Sequence, residues 1–108
     1  MARSLDLVKG TLGLLILRTL ELEPRHGVAI ADRIGQVTRG TFRVKAGSLF
    51  PALHRLEQDG LIGGEWTVAD GRRTKTYRLT AAGRRQLASH TRDWARVVEA
   101  VQLVLDAE

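Results

Sequence analysis

Arg72, Arg73 and Lys75 place three cations within four positions, directly after Asp70-Gly71, while Arg43, Lys45 and Arg55 surround Ser48, Pro51 and His54. These side chains bind anions. Arginine forks onto phosphate or a guanine edge, lysine supplies a mobile point charge, and a glutamine such as Gln58 pairs with adenine. The distribution of charge favours the same chemistry: of a formal +5 over 108 residues, positions 39–55 carry +4 with no acid, positions 70–85 carry +5, and the remainder carries −4. A surface charged only for solubility interleaves its signs, so two basic islands on an acidic remainder point to a polyanion, above all nucleic acid.

Other chemistries find little support. His26, His54 and His90 share no ligand spacing with one another or with a carboxylate, so no metal site is expected. The absence of cysteine excludes a disulfide framework, thiolate zinc sites and cysteine nucleophiles, and it leaves the cytoplasm as the expected compartment. Ser4, Ser48 and Ser89 have no base and orienting acid beside them in sequence, and no glycine-rich phosphate loop joins a strand to a helix. Neither an enzyme nor a cofactor is expected. The longest apolar stretch, Leu12 to Leu17, is interrupted by Gly13 and followed by Arg18, too short to span a bilayer, and Met1-Ala2-Arg3-Ser4 lacks a secretory signal. No membrane partner is expected.

The elements that must position the cations follow from apolar spacing. Thr11 to Leu22 reads as a helix with Leu12, Leu15, Ile16, Thr19 and Leu20 inward, widened by Leu14 and Leu17, and Glu23-Pro24 ends it. A second helix runs from about Gly27 to Val37, burying Ile30, Ala31, Ile34 and Val37, with His26 closing its start. Thr41 to Val44 alternates as a short strand would. A third helix is predicted from Gly47-Ser48, with Ser48 as cap and Pro51 in the first turn, to Asp59-Gly60. Its wheel turns Leu49, Ala52, Leu53 and Leu56 inward and Ser48, Pro51, His54, Arg55 and Gln58 outward. Leu61–Val68 and Lys75–Leu79 form a hairpin with a basic tip, bulged or bent at Gly63-Gly64. Tyr77 and Leu79 pack while Thr76 and Arg78 face out, and Trp66 is expected to pack in the hairpin rather than serve as a contact residue.

From Thr80, as cap, a last helix extends to about Asp106, too long for an 80-residue core to cover. Leu87, Thr91, Trp94, Val98, Val101 and Leu105 repeat at steps of four and three, with His90, Val97 and Val104 in the adjoining row. A second copy of the chain is the natural cover. The expected fold class is therefore mainly α with a small β-hairpin: a winged helix-turn-helix over residues 1–80 and a C-terminal dimerisation helix over 81–108. In that architecture the third helix enters the major groove and the wing approaches the minor groove or backbone. The two basic islands fall on those two elements.

The residues themselves resemble the PadR-type transcriptional regulators over about residues 9 to 96. The resemblance is carried by His26-Gly27-Val28-Ala29-Ile30, by Gly47 through Glu57 (GSLFPALHRLE), by Gly60-Leu61-Ile62, and by Lys75 through Gly83 (KTYRLTAAG). It implies a homodimeric winged-helix protein, usually a repressor, of the short subclass with one C-terminal dimerisation helix. Its partner would be a double-stranded, near-palindromic DNA operator contacted through Arg43, Lys45, Ser48, Pro51, His54, Arg55, Gln58, Arg72, Arg73 and Lys75. It further implies a cavity between subunits in which Trp94 stacks on a small planar aromatic effector; Trp94 as a plain interface anchor is the other reading. Leu14, Val97, Val98, Val101 and Leu105 are the expected neighbours at that effector site or interface. Val28 and Phe50 stand where the family commonly has tyrosine, so a hydroxyl contact to phosphate does not carry over at Phe50. The rival readings are a winged-helix module for an acidic protein surface and a small-molecule-binding protein without regulatory action.

Overall fold

A computed structural model describes residues 10–108; the expectation for Met1-Ala2-Arg3-Ser4 lies outside them. The elements are α1 (Thr11–Leu22), β1 (Arg25–His26), α2 (Gly27–Val37), α3 (Ala46–Gln58), β2 (Ile62–Ala69), β3 (Arg72–Leu79) and α4 (Ala81–Asp106). The antiparallel sheet has the order β1-β3-β2. The result is a winged helix extended by one long helix.

α1 is the hub, packing against α2, α3, α4 and β3. Leu14, Ile16, Leu17 and Leu20 are buried, and Leu12 and Leu15 close the core's edge. The almost all-round apolar stripe is thus covered on several sides. From α2 and α3 the core receives Ile30, Ile34, Leu49, Ala52 and Leu53, and from the hairpin base Ile62, Tyr77 and Leu79. Val37 departs from its row and is exposed: it is the last helical residue, and the chain leaves the helix at Thr38, so burial ends one turn earlier.

The short strand lies elsewhere than the alternation at Thr41–Val44 indicated. β2 pairs with one edge of β3 and Arg25–His26 with the other, and residues 41–44 join neither pairing. Phe42 and Val44 still pack against the core, and the Phe42 N–H donates to Thr38 Oγ1 at 3.1 Å. Alternation there reports burial without strand pairing.

α3 begins one residue before Gly47, on Lys45, whose extended backbone (φ −89°, ψ 156°) starts the helix without any side-chain cap. Ser48 is therefore not the cap; its N–H donates to the Lys45 carbonyl at 3.0 Å. Pro51 lies inside the helix rather than in its first turn. The hairpin turns on Asp70 (φ 53°) and Gly71 (φ 74°), the pair of left-handed residues that a two-residue turn matched to strand twist requires. No bulge interrupts it: Gly63 opposes Arg78 and Gly64 opposes Tyr77 in continuous register.

Thr80 starts α4, its hydroxyl accepting from the Gly83 N–H at 3.0 Å and donating to the Gly60 carbonyl at 2.7 Å. Gly83 then passes so close to the hairpin base that an added Cβ would lie 2.0 Å from the Leu61 carbonyl oxygen and 2.6 Å from Leu79 Cδ1. In an open helix, alanine for glycine stabilises by about 1 kcal/mol. Here the sign reverses. Gly83→Ala is expected to cost about 3 kcal/mol through the clash with backbone, read as a lowered urea midpoint.

Candidate nucleic-acid interface

Burying Leu49, Ala52 and Leu53 fixes the roll of α3, and one helical turn per 3.6 residues then leaves Gly47, Pro51, His54 and Gln58 along the opposite side. Ser48, Pro51, His54, Arg55 and Gln58 are all exposed, as their spacing predicts. Ser48 and Arg55 form one flank of this face, and Phe50 and Glu57 the other. Lys45 stands exposed at the start of α3, and Arg43, also exposed, lays its guanidinium over Gly40, within 3.7 Å of where a Cβ would sit.

The pleat of the hairpin divides the wing cations. Arg73 and Lys75 share a face with Tyr77 and Leu79, whereas Arg72 shares the opposite face with Thr74, Thr76 and Arg78. Tyr77 and Leu79 are buried and Arg78 is exposed, as expected; Thr76 is half-buried. Trp66 differs from its expectation. It is 55% exposed, above the level at which the hairpin meets the core, and the Arg73 guanidinium stacks over its ring at 4.6 Å. The indole is therefore a platform for a cation rather than core packing.

Lys75 is the one predicted cation that is not free to face an outside ligand. Its ammonium donates to Glu57 Oε1 at 2.7 Å and lies 5.3 Å from the Tyr77 ring centre. The hydrogen bond to the Glu57 carboxylate raises the Lys75 pKa above its ordinary value, so the group stays charged. The +4 window of residues 39–55 ends just short of Glu57, which conceals this pairing. Val28 and Phe50 are both exposed, and the Phe50 ring leans on Gly27, where a Cβ would lie 3.0 Å from it.

His26 precedes α2 as expected, but its ring does not cap the helix; Nδ1 sits 3.2 Å from Thr76 Oγ1 on β3. Among the described residues no three His, Asp or Glu side chains gather as metal ligands, and no helix is long and apolar enough to cross a membrane.

α4 presents the remaining candidate surface. Gly83 and Leu87 are its buried residues, and from Thr91 onward every residue is exposed. Trp94, Val97, Val98, Val101 and Leu105 lie on this uncovered stretch, joined by Leu103 and Val104. Leu14, expected beside them, is a core residue instead. An open depression of about 470 Å³ along α4 is lined by Asp93, Arg96, Val97, Glu99, Ala100 and Leu103, and so does not include Trp94.

Comparison with known proteins bears on what such a surface serves. The family model of the "Transcriptional regulator PadR-like family" matches residues 16–89. Transcriptional regulator Rv3488 of Mycobacterium tuberculosis is 47% identical over 67 residues, which cover 62% of this chain and 60% of that one. The crystal structure of a PadR family transcriptional regulator from Eggerthella lenta superposes with a TM-score of 0.84 at 30% identity, covering 93% of this chain and 86% of that one. A PadR-like transcriptional regulator from Bacillus cereus superposes at 0.77 with 29% identity, covering 93% and 96%.

Proposed function

The chain belongs to the PadR-like family of transcriptional regulators, and on that premise we propose that it is a homodimeric, sequence-specific DNA-binding repressor of the short subclass. The observation that carries this reading is that the exposed polar face of α3 and the free cations of the wing, Arg72 and Arg73, belong to adjacent elements of one winged helix. Arg55, Gln58 and His54 would meet base edges, with Ser48 and Pro51 at the groove wall. Arg43, Lys45, Arg72 and Arg73 would meet phosphate.

Residues 81–108 would be the dimerisation helix, because an apolar surface of this extent is costly to leave in water. A two-fold pair of α3 helices then calls for a near-palindromic operator, with half-sites about one helical turn or a multiple of it apart. An effector that stacks on Trp94 would act by changing the separation of the two DNA-binding heads, which requires unequal affinity for the two arrangements. Trp94 is 39% exposed in the single chain, enough to offer ring surface to a ligand or a partner.

The decisive experiment is selection of bound fragments from genomic DNA, followed by affinity measurements across a salt series. One recurrent near-palindromic sequence is expected. Its affinity should fall by about 10³-fold between 50 and 200 mM salt if six or more phosphates are neutralised by the dimer. Recovery of no sequence would favour binding to an acidic protein surface. For the effector, quenching of Trp94 by a planar aromatic compound should accompany release of the operator; quenching without release would leave the ligand outside the regulatory path.

A further inference from the structure

Above Tyr77 the wing loses contact with the core: Glu65, Trp66, Thr67, Val68, Ala69, Arg72 and Arg73 are all exposed. Among the described residues, two side chains from outside the hairpin, those of His26 and Glu57, reach this distal part. Thr76 meets His26 of β1, and Lys75 crosses Gly64 to reach Glu57 on α3. The second joins the wing directly to the proposed recognition helix. Gly64 makes the crossing feasible, since a Cβ there would lie 2.3 Å from Lys75 Cε and 3.0 Å from Glu57 Oε2. The partners are partly screened from water, at 22% and 32% exposure. Trp66, opposite Lys75 in the ladder, has the lysine ammonium 5.6 Å from its ring centre and Arg73 stacked at 4.6 Å, so the strut continues to the cation nearest the tip on that face.

We infer that Glu57 and Lys75 are positioning residues whose ion pair, seated over Gly64, sets the wing relative to α3 so that both basic elements meet DNA as one rigid footprint. This rests on the DNA-binding reading above. It removes Lys75 from the phosphate contacts and gives an acid on α3 a role in specificity. A rigid wing delivers Arg73 already ordered, whereas a loose one must be ordered on the operator. Non-specific binding, which follows charge rather than fixed geometry, does not depend on the strut.

The test compares Glu57→Ala, Lys75→Met and the double variant by operator affinity, non-specific affinity, salt slope and amide exchange in the hairpin. Either single change is expected to lower the ratio of operator to non-specific affinity about tenfold, and the double change to lower it no further, the signature of one shared interaction. Glu57→Ala frees one cation in each subunit, so the dimer's non-specific binding should strengthen and its salt slope steepen by about 1.8. Lys75→Met should leave the slope unchanged. Exchange at residues 65–74 should quicken in all three variants, with or without DNA. Additive losses, or a shallower slope for Lys75→Met, would show that Lys75 is a phosphate contact and overturn the inference. Unchanged exchange would overturn it as well. If the wild-type protein selects no DNA sequence, the DNA-binding reading fails, and hairpin exchange alone decides whether the strut holds the wing.

Discussion

Replacing Val98 and Val101 together by glutamate is expected to convert the protein to a monomer and to weaken operator binding by about 10²- to 10⁴-fold. Both side chains are half exposed in the single chain, at 49% and 52%, so carboxylates there meet water and should leave the folded subunit's stability nearly unchanged. In a dimer the same positions would be covered, and two unpaired carboxylates from each subunit would have to be desolvated, costing several kcal/mol. The loss of DNA affinity then comes entirely from separating two half-site contacts that a dimer makes as a single event. Sedimentation velocity and operator titration of the variant check the two halves of the expectation. A dimer that survives both substitutions would move the interface off this face of α4. A monomer that binds the operator as tightly as the parent would show that one subunit suffices.

The sequence made some of this legible because local chemistry and tertiary outcome agree. Apolar spacing places Leu49, Ala52 and Leu53 inside α3 and so determines which polar residues it exposes; Asp70-Gly71 accepts the left-handed backbone that its turn needs; Thr80 caps α4 through Gly83. Disagreement arises where a residue's fate depends on a distant partner. Thr41–Val44 has the alternation of a strand, yet the place beside β3 is taken by Arg25–His26. Trp66 has the bulk of a core residue, yet it stands where the hairpin has risen clear of the core. Val37 has the correct spacing but lies at the end of its helix. Lys75 shows the limit most clearly: its type indicated phosphate, and only the fold brings Glu57, eighteen residues earlier, to 2.7 Å from it.

Loss of both free wing arginines, by Arg72→Ala with Arg73→Ala, removes four phosphate contacts from a dimer and is expected to weaken operator binding about 10³-fold near physiological salt and to reduce the salt slope by about 3.6, since each phosphate contact contributes about 0.9. The two positions should not contribute equally. They lie on opposite faces of the hairpin, and Arg73 rests on the Trp66 ring while no such platform is seen for Arg72 among the described contacts. A guanidinium held in place sacrifices less freedom on binding, so Arg73→Ala should account for most of the loss, and Trp66→Ala should reproduce part of it without altering the charge. Arg55→Ala should behave differently. A contact to a base edge is worth about 1 to 3 kcal/mol of discrimination against the wrong base, so the operator should lose part of its advantage over random DNA while the salt slope changes little. Titrations of operator and random duplex at several salt concentrations separate these outcomes. A wing variant that lowers specificity without changing the slope would mean that the wing reads bases, and an Arg55 variant that changes only the slope would place Arg55 on phosphate.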